Sequence, residues 1–190
     1  TPFLILNQFL NPSYNYNLES INSLNNFSNN QINNSINTWI SRTSAVDNDW
    51  TSICFSRELN LFVAVSNTGT NNRVMTSLDS ITWTSRTSAA NNNWTSICYS
   101  PELNLFVAVS NSGTSNRVMT SSDGITWTIQ TSAADNDWTS VCWANDLRMF
   151  VAVSNSGTNN RVMTSSNGIN WEISTSAADT NRTSICWSHE

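Results

Sequence analysis

Cysteine falls at positions 54, 98, 142 and 186, a constant step of 44 residues. Trp39, Trp83, Trp127 and Trp171 keep the same step, as do Trp50, Trp94 and Trp138. Residues 39–82 and 83–126 are identical at 34 of 44 positions. A third copy covers 127–170 and a partial fourth covers 171–190, leaving 1–38 as an Asn-rich N-terminal segment. A repeat unit cannot bury its apolar face alone, so the copies must stack on one another.

Each copy reads as four strands, here named A to D. Strand A is Trp50–Ser56, which alternates between two faces, and strand B is the apolar run Leu61–Val65. Such a short continuous run suits a strand covered on both sides. Strands C and D are Arg73–Ser77 and Ile81–Ser85, separated from their neighbours by turn-rich segments. No stretch within the repeats has helical periodicity. A period of about 40–50 residues suits a four-stranded propeller blade. The expected fold is therefore all-β, a β-propeller with about four blade-equivalents; part of a larger ring of about six to eight blades is the alternative.

The turn between C and D reads Ser77-Leu78-Asp79-Ser80-Ile81-Thr82-Trp83, and is repeated at Ser121–Trp127 and Ser165–Trp171. It resembles the Asp-box (bacterial neuraminidase, sialidase-like) propeller repeat, Ser-x-Asp-x-Gly-x-x-Trp. That resemblance implies a turn stabilised by Ser and Asp, with the Trp packed between blades. The turn here is one residue shorter, Ser80 replaces Gly in the first copy, and Asn167 replaces Asp in the third. The longer pattern from Trp50 to Asn67 also resembles uncharacterised propeller arrays of large DNA viruses of protists.

The ends carry parts of the same pattern. A D strand is expected near Trp39, a final A strand at Thr183–Ser188, and a B strand at Phe3–Leu6. A chain starting in B and ending in A can close a split blade by pairing its ends, which protects open sheet edges. The chain does not begin with Met, so it is expected to be processed or a piece of something longer. Residues 11–37 read as a degenerate C strand with long loops, or as disorder; Ile21, Leu24 and Phe27 have the spacing of a helical turn.

Composition narrows the function classes. Only 11% of residues are charged, with eight Lys and Arg against thirteen Asp and Glu. Phosphate-backbone binding has little support from such a balance, so nucleic acid is not an expected partner. No apolar run approaches the roughly 18–20 residues of a membrane-spanning helix. Polarity comes instead from Ser, Thr and 31 Asn.

The cysteines lack the close spacing of a zinc site, and equivalent positions on neighbouring blades lie too far apart for a disulfide. They read as small buried hydrophobes on strand A. Unpaired thiols favour a reducing compartment, or assembly of a virion inside a cell. No metal or other cofactor is expected. Trp50, Trp94 and Trp138 open strand A beside a polar loop, where they either cap the core or stack on a sugar ring. Arg73, Arg117 and Arg161 either form ion pairs, with Glu58, Glu102 and Asp146 as the other recurring charges, or offer a basic ring to an anionic ligand. Sequons at Asn26, Asn33, Asn93 and Asn181 are expected by chance in so Asn-rich a chain.

Catalysis has the least support. The sialidase pattern implied by the Asp-box resemblance needs three arginines, a Tyr–Glu pair and an Asp from different blades. Tyr14, Tyr16 and Tyr99 have no acidic partner in register, the arginines are copies of one position, and His189 is the sole histidine. Near-identical copies give one residue one environment repeatedly, whereas acid–base pairs need differing environments. The expectation is a non-catalytic structural or protein-interaction propeller, with a protein partner or self-assembly. A glycan-binding lectin is the alternative and a glycosidase-like enzyme the last choice. The D–A loops (44–49, 88–93, 132–137) and B–C loops (67–72, 111–116, 155–160) share one face. That face is the expected docking surface, through Asn71, Asn72, Asn159 and Asn160 and repeated weak contacts.

Overall fold

The computed structural model describes residues 40–188 and the backbone of a short strand at 3–5. Among these residues there is no helix; every regular element is a strand. They divide into two compact units.

The smaller unit contains β1 (Phe3–Ile5) and β2 (Ile40–Arg42), paired antiparallel with Ile5 opposite Ile40. By sequence, β2 is the expected D strand. Its register against β1 is that of D against C in the other copies, where Thr84 lies opposite Thr76. Phe3–Ile5 therefore takes the place of strand C rather than B. Three successive apolar residues carry no period that could separate the two assignments; only the pairing does. Residues 11–37 and His189 lie outside the described residues.

The larger unit holds three four-stranded antiparallel sheets. The first is β3 (Trp50–Ser56), β4 (Leu61–Ser66), β5 (Val74–Ser77) and β6 (Thr84–Arg86). The second is β7 (Trp94–Ser100), β8 (Leu105–Ser110), β9 (Val118–Ser121) and β10 (Thr128–Gln130). The third is β11 (Trp138–Ala144), β12 (Met149–Ser154), β13 (Val162–Ser165) and β14 (Glu172–Ser174). In each sheet neighbours in sequence are neighbours in space, the A–B–C–D meander of a propeller blade. Strand D begins later than its sequence suggests. Ile81 and Thr82 remain in the turn because their N–H groups donate to the Asp79 carboxylate at 2.8 and 2.7 Å.

The core lies between sheets. Leu61, Val63 and Val65 of β4 pack against Phe106 and Ala108 of β8, together with Trp94 and Trp127. Val107 and Val109, on the other side of β8, pack against Phe150, Ala152, Trp138 and Trp171 of the third sheet. Strand B is thus buried on both faces, which explains its unbroken apolar run. On the face of the third sheet turned away from the second, Val151 and Val162 are only half-buried, whereas Val63, Val107, Val74 and Val118 are wholly buried.

Adjacent A strands are joined by side chains rather than a ladder. The Thr51 hydroxyl bonds the Trp94 carbonyl at 2.7 Å, and Ser52 Oγ accepts from Ile97 N–H at 3.2 Å. Thr95 and Ser96 repeat this with Trp138 and Val141. Thr139 and Ser140 repeat it again with Arg182 and Ile185, so residues 182–185 enter an A-type position beside β11. The expected last A strand docks there but forms no ladder among the described residues. About four blade-equivalents are present: three complete sheets and parts of the same pattern at either end of the chain.

Candidate functional site

The loop end of the larger unit is an internal clamp. Asn48 Nδ2 donates to the Asn72 carbonyl at 3.0 Å, joining the D–A and B–C loops of one sheet. Asn92 and Asn136 do the same to Asn116 and Asn160, at 2.8 and 2.7 Å. The B–C glycines permit this approach. At Gly113, with φ +102°, a Cβ would come within 2.5 Å of Asn92 Nδ2 and closer still to Asn116 Oδ1.

The same D–A loops also grip the preceding sheet. Asn91 Oδ1 accepts from Asn71 N–H at 2.7 Å, and Asp135 and Asp179 accept from Ser115 and Asn159. Arg73 donates to its own loop carbonyls, Gly69 and Asn67, and onward to Asn93 Oδ1 at 3.0 Å. Arg117 reaches Asp137 at 3.1 Å, and Arg161 reaches Asn181 at 2.9 Å. Three consecutive residues such as Asn91-Asn92-Asn93 therefore tie the loops of one sheet to those of the next.

The predicted site residues divide accordingly. The Asn72 and Asn160 amides are engaged by the clamp, while Asn71 and Asn159 are exposed but held through their backbone N–H groups. Arg73, Arg117 and Arg161 close loops and bridge sheets at the opposite end from the A–B turns that carry Glu58, Glu102 and Asp146. Trp94 and Trp138 are fully buried, and their indole N–H groups donate to the Ala90 and Ala134 carbonyls. Such rings have no free face for a sugar. Trp50 is half-buried and bonds Val46 in the same way. Arg182, in the Trp position of the fourth copy, donates to the corresponding Ala178 carbonyl.

The four cysteines are free thiols; Cys54, Cys98 and Cys142 are half-buried and Cys186 is exposed. Burial pushes the Cys54, Cys98 and Cys142 thiols up, away from the reactive thiolate. Among the described residues no group of three His, Cys, Asp or Glu is placed to hold a metal ion, and no helix is long and apolar enough to cross a membrane.

The turn end has a different character. In each C–D turn the hydroxyl of Ser77, Ser121 or Ser165 meets the side chain of Asp79, Asp123 or Asn167. That side chain in turn collects two backbone N–H groups. Backbone donation by Thr82 and Ile81, with the Ser77 hydroxyl, lowers the Asp79 pKa to about 2. The turns project aliphatic side chains outward: Ile81, Ile125 and Ile169 are 50%, 46% and 51% exposed. Leu78, and Leu103 and Leu147 of the A–B turns, are exposed at the same end. Sequence reasoning missed these residues because it read Ile81 as the start of a strand. It missed Asn48, Asn92 and Asn136 as well. Their signal was available: Asn recurs before the strand-A Trp of every complete copy and becomes Thr180 in the partial one.

Comparison with known proteins finds no family model that matches the chain and no curated protein that resembles it in sequence.

Proposed function

We infer that the protein is a non-catalytic interaction module that docks a protein partner through the turn end of its stacked sheets. The carrying observation is the recurrence of exposed Ile81, Ile125 and Ile169 in successive copies. Exposed aliphatic side chains repeated at one position of successive turns suit a repeated protein contact. At the loop end, by contrast, the side chains offered by the sequence are largely spent on holding the loops together.

The ionised carboxylates of Asp79 and Asp123 stand beside the isoleucines, and the A–B turns add Glu58, Glu102 and Asp146 against Arg57 and Arg148, so acidic groups outnumber basic ones there. A complementary partner presents aliphatic side chains interleaved with Lys or Arg. Repeated sites favour avidity over single strong contacts. Membership of the Asp-box family belongs to the same proposal, supported by the Ser–Asp turn and the buried Trp127 and Trp171. A place in a virion or other large assembly follows from the viral resemblance and is proposed with it.

The test is an array of basic, aliphatic-rich peptides probed with the purified chain. Replacement of Ile81, Ile125 and Ile169 together by Ser should abolish binding without changing the thermal midpoint. Binding that survives the triple replacement, or that appears only on a glycan array, would overturn this reading.

A further inference from the structure

We propose that Asn167 is a site of spontaneous deamidation, gated by the Ser165 hydroxyl, whose aspartate product gives the third C–D turn the carboxylate that the first two carry. Asn167-Gly168 is the one Asn–Gly pair in this Asn-rich sequence. A glycine after asparagine leaves the following backbone nitrogen unshielded by a Cβ, so that nitrogen can reach the carboxamide carbon. The equivalent pairs are Asp79-Ser80 and Asp123-Gly124. In the third copy alone, the side chain at this position is an amide able to lose ammonia.

The closed turn keeps the two reacting groups engaged elsewhere. Gly168 is buried and its N–H donates to Ser165 Oγ at 2.9 Å. Asn167 Oδ1 accepts from Ile169 N–H and Asn170 N–H, both at 2.9 Å, and from the Ser165 hydroxyl at 3.1 Å. Attack therefore needs a local opening that breaks the Ser165 contacts. Ser166, Ile169 and Asn170 are exposed, so solvent reaches the turn. In the opened turn the Gly168 nitrogen gives its proton to solvent base and bonds to Asn167 Cγ. The Cγ–Nδ2 bond breaks, the departing nitrogen takes up a proton and leaves as ammonia, and a five-membered imide remains. Water then adds at Cγ, the bond to the Gly168 nitrogen breaks, and that nitrogen recovers its proton. One water enters and one ammonia leaves, with nothing oxidised or reduced.

Packing selects the product. Water adding at the other imide carbonyl gives isoaspartate, whose main chain is one carbon longer. Gly168 lies so close to the second sheet that even a Cβ there would come 2.7 Å from Leu105 Cδ2 and 3.1 Å from Val107 Cγ2, so the lengthened chain does not reseat. The two acids interconvert through the imide, and closure of the turn withdraws aspartate alone. Aspartate also suits the turn better than asparagine does. The carboxylates of Asp79 and Asp123 hold the corresponding pair of N–H groups at 2.8 and 2.7 Å, the shortening expected of a charged acceptor.

The experiment incubates the whole chain, and separately a synthetic peptide spanning residues 162–174, in heavy-oxygen water at mildly alkaline pH, and reads residue 167 by peptide mapping. Conversion in the folded chain should be at least about tenfold slower than in the peptide, a factor set by the opening equilibrium. One heavy oxygen should enter per ammonia released. The folded chain should yield mainly aspartate and the peptide mainly isoaspartate. Ser165→Ala should speed conversion in the folded chain, and Asn167→Asp, the product made directly, should melt above the parent at neutral pH. Equal rates in chain and peptide, no detectable conversion of the chain on prolonged incubation, or isoaspartate as the main folded product would overturn the proposal. So would a folded Ser165→Ala chain that converts no faster, or an Asn167→Asp chain that melts below the parent. The comparison of parent chain with peptide needs no variant, so it decides the matter even where Ser165→Ala does not fold. None of these readouts uses a binding partner, so the outcome is independent of the docking proposal.

Discussion

At the residue scale, the carboxylates of the C–D turns do most to explain a chain with so few charges. Asp79 accepts from Ser77 Oγ, Ile81 N–H and Thr82 N–H and is ionised down to a pH of about 2. At Asp123 burial pushes upward, but the N–H groups of Thr126 and Ile125 outweigh it and the net shift is downward. A carboxylate whose folded pKa lies below its unfolded value, about 3.9, contributes stability above that value. The contribution is lost as pH falls through the folded pKa. Asn167 makes the same two backbone bonds at 2.9 Å without a titrating group. Converting Asp79 and Asp123 to Asn should therefore flatten the loss of thermal stability between about pH 4 and pH 2. Melting curves across that window check it, and an unchanged slope would show that these turns do not set the acid response.

At the scale of the element, the glycines of the loops and turns serve different contacts. Gly124 and Gly168 let a C–D turn settle on the preceding sheet: a Cβ at Gly124 would lie 2.7 Å from Leu61 Cδ2 and 3.0 Å from Val63 Cγ2. Gly69, Gly113 and Gly157 let the Asn clamp close. Gly113→Ala combines a left-handed φ with a collision against two engaged amides, so neither neighbour can yield without losing a hydrogen bond. A destabilisation of about 2–4 kcal/mol is expected from overpacking and backbone strain together. Chemical denaturation measures it, and a loss below the strain alone, about 1 kcal/mol, would mean that the clamp opens readily. The positions of strands A, B and C were legible from period and apolar pattern. The start of strand D was not, because the Asp79 carboxylate removes Ile81 and Thr82 from the ladder, and such a capture is not visible in hydrophobic alternation.

At the scale of the molecule, stability comes from interfaces between like sheets, which makes the behaviour close to that of a linear array. The hydroxyl of Thr95 shares its proton between the Val109 carbonyl of its own sheet at 3.1 Å and the Trp138 carbonyl of the next at 2.7 Å. Thr95→Val preserves shape and removes this tie, at a cost of about 1 kcal/mol or somewhat more if the carbonyls are left unsatisfied. The equivalent Thr139 tie, which seats only residues 182–187, should cost less overall and increase hydrogen exchange there. A Thr95→Val variant as stable as the parent would shift the weight of sheet stacking onto the apolar contacts alone.

The sequence by itself determined the period, the number of copies, the all-β class and the doubly buried strand B. Each is written in local pattern and in its repetition. Only the tertiary structure decided what the polar residues do. Whether an Asn is a ligand or a clamp depends on which carbonyl stands beside it. Asn72 lies 24 residues from Asn48 but within hydrogen-bond reach, and Trp94 is closed off by a sheet that begins 44 residues before it. Burial and partner choice are sums over distant neighbours, so they decided two things that spacing could not: the pairing of Phe3–Ile5 with a D-type strand, and the hydrogen bonds that tie the Asn-rich loops together.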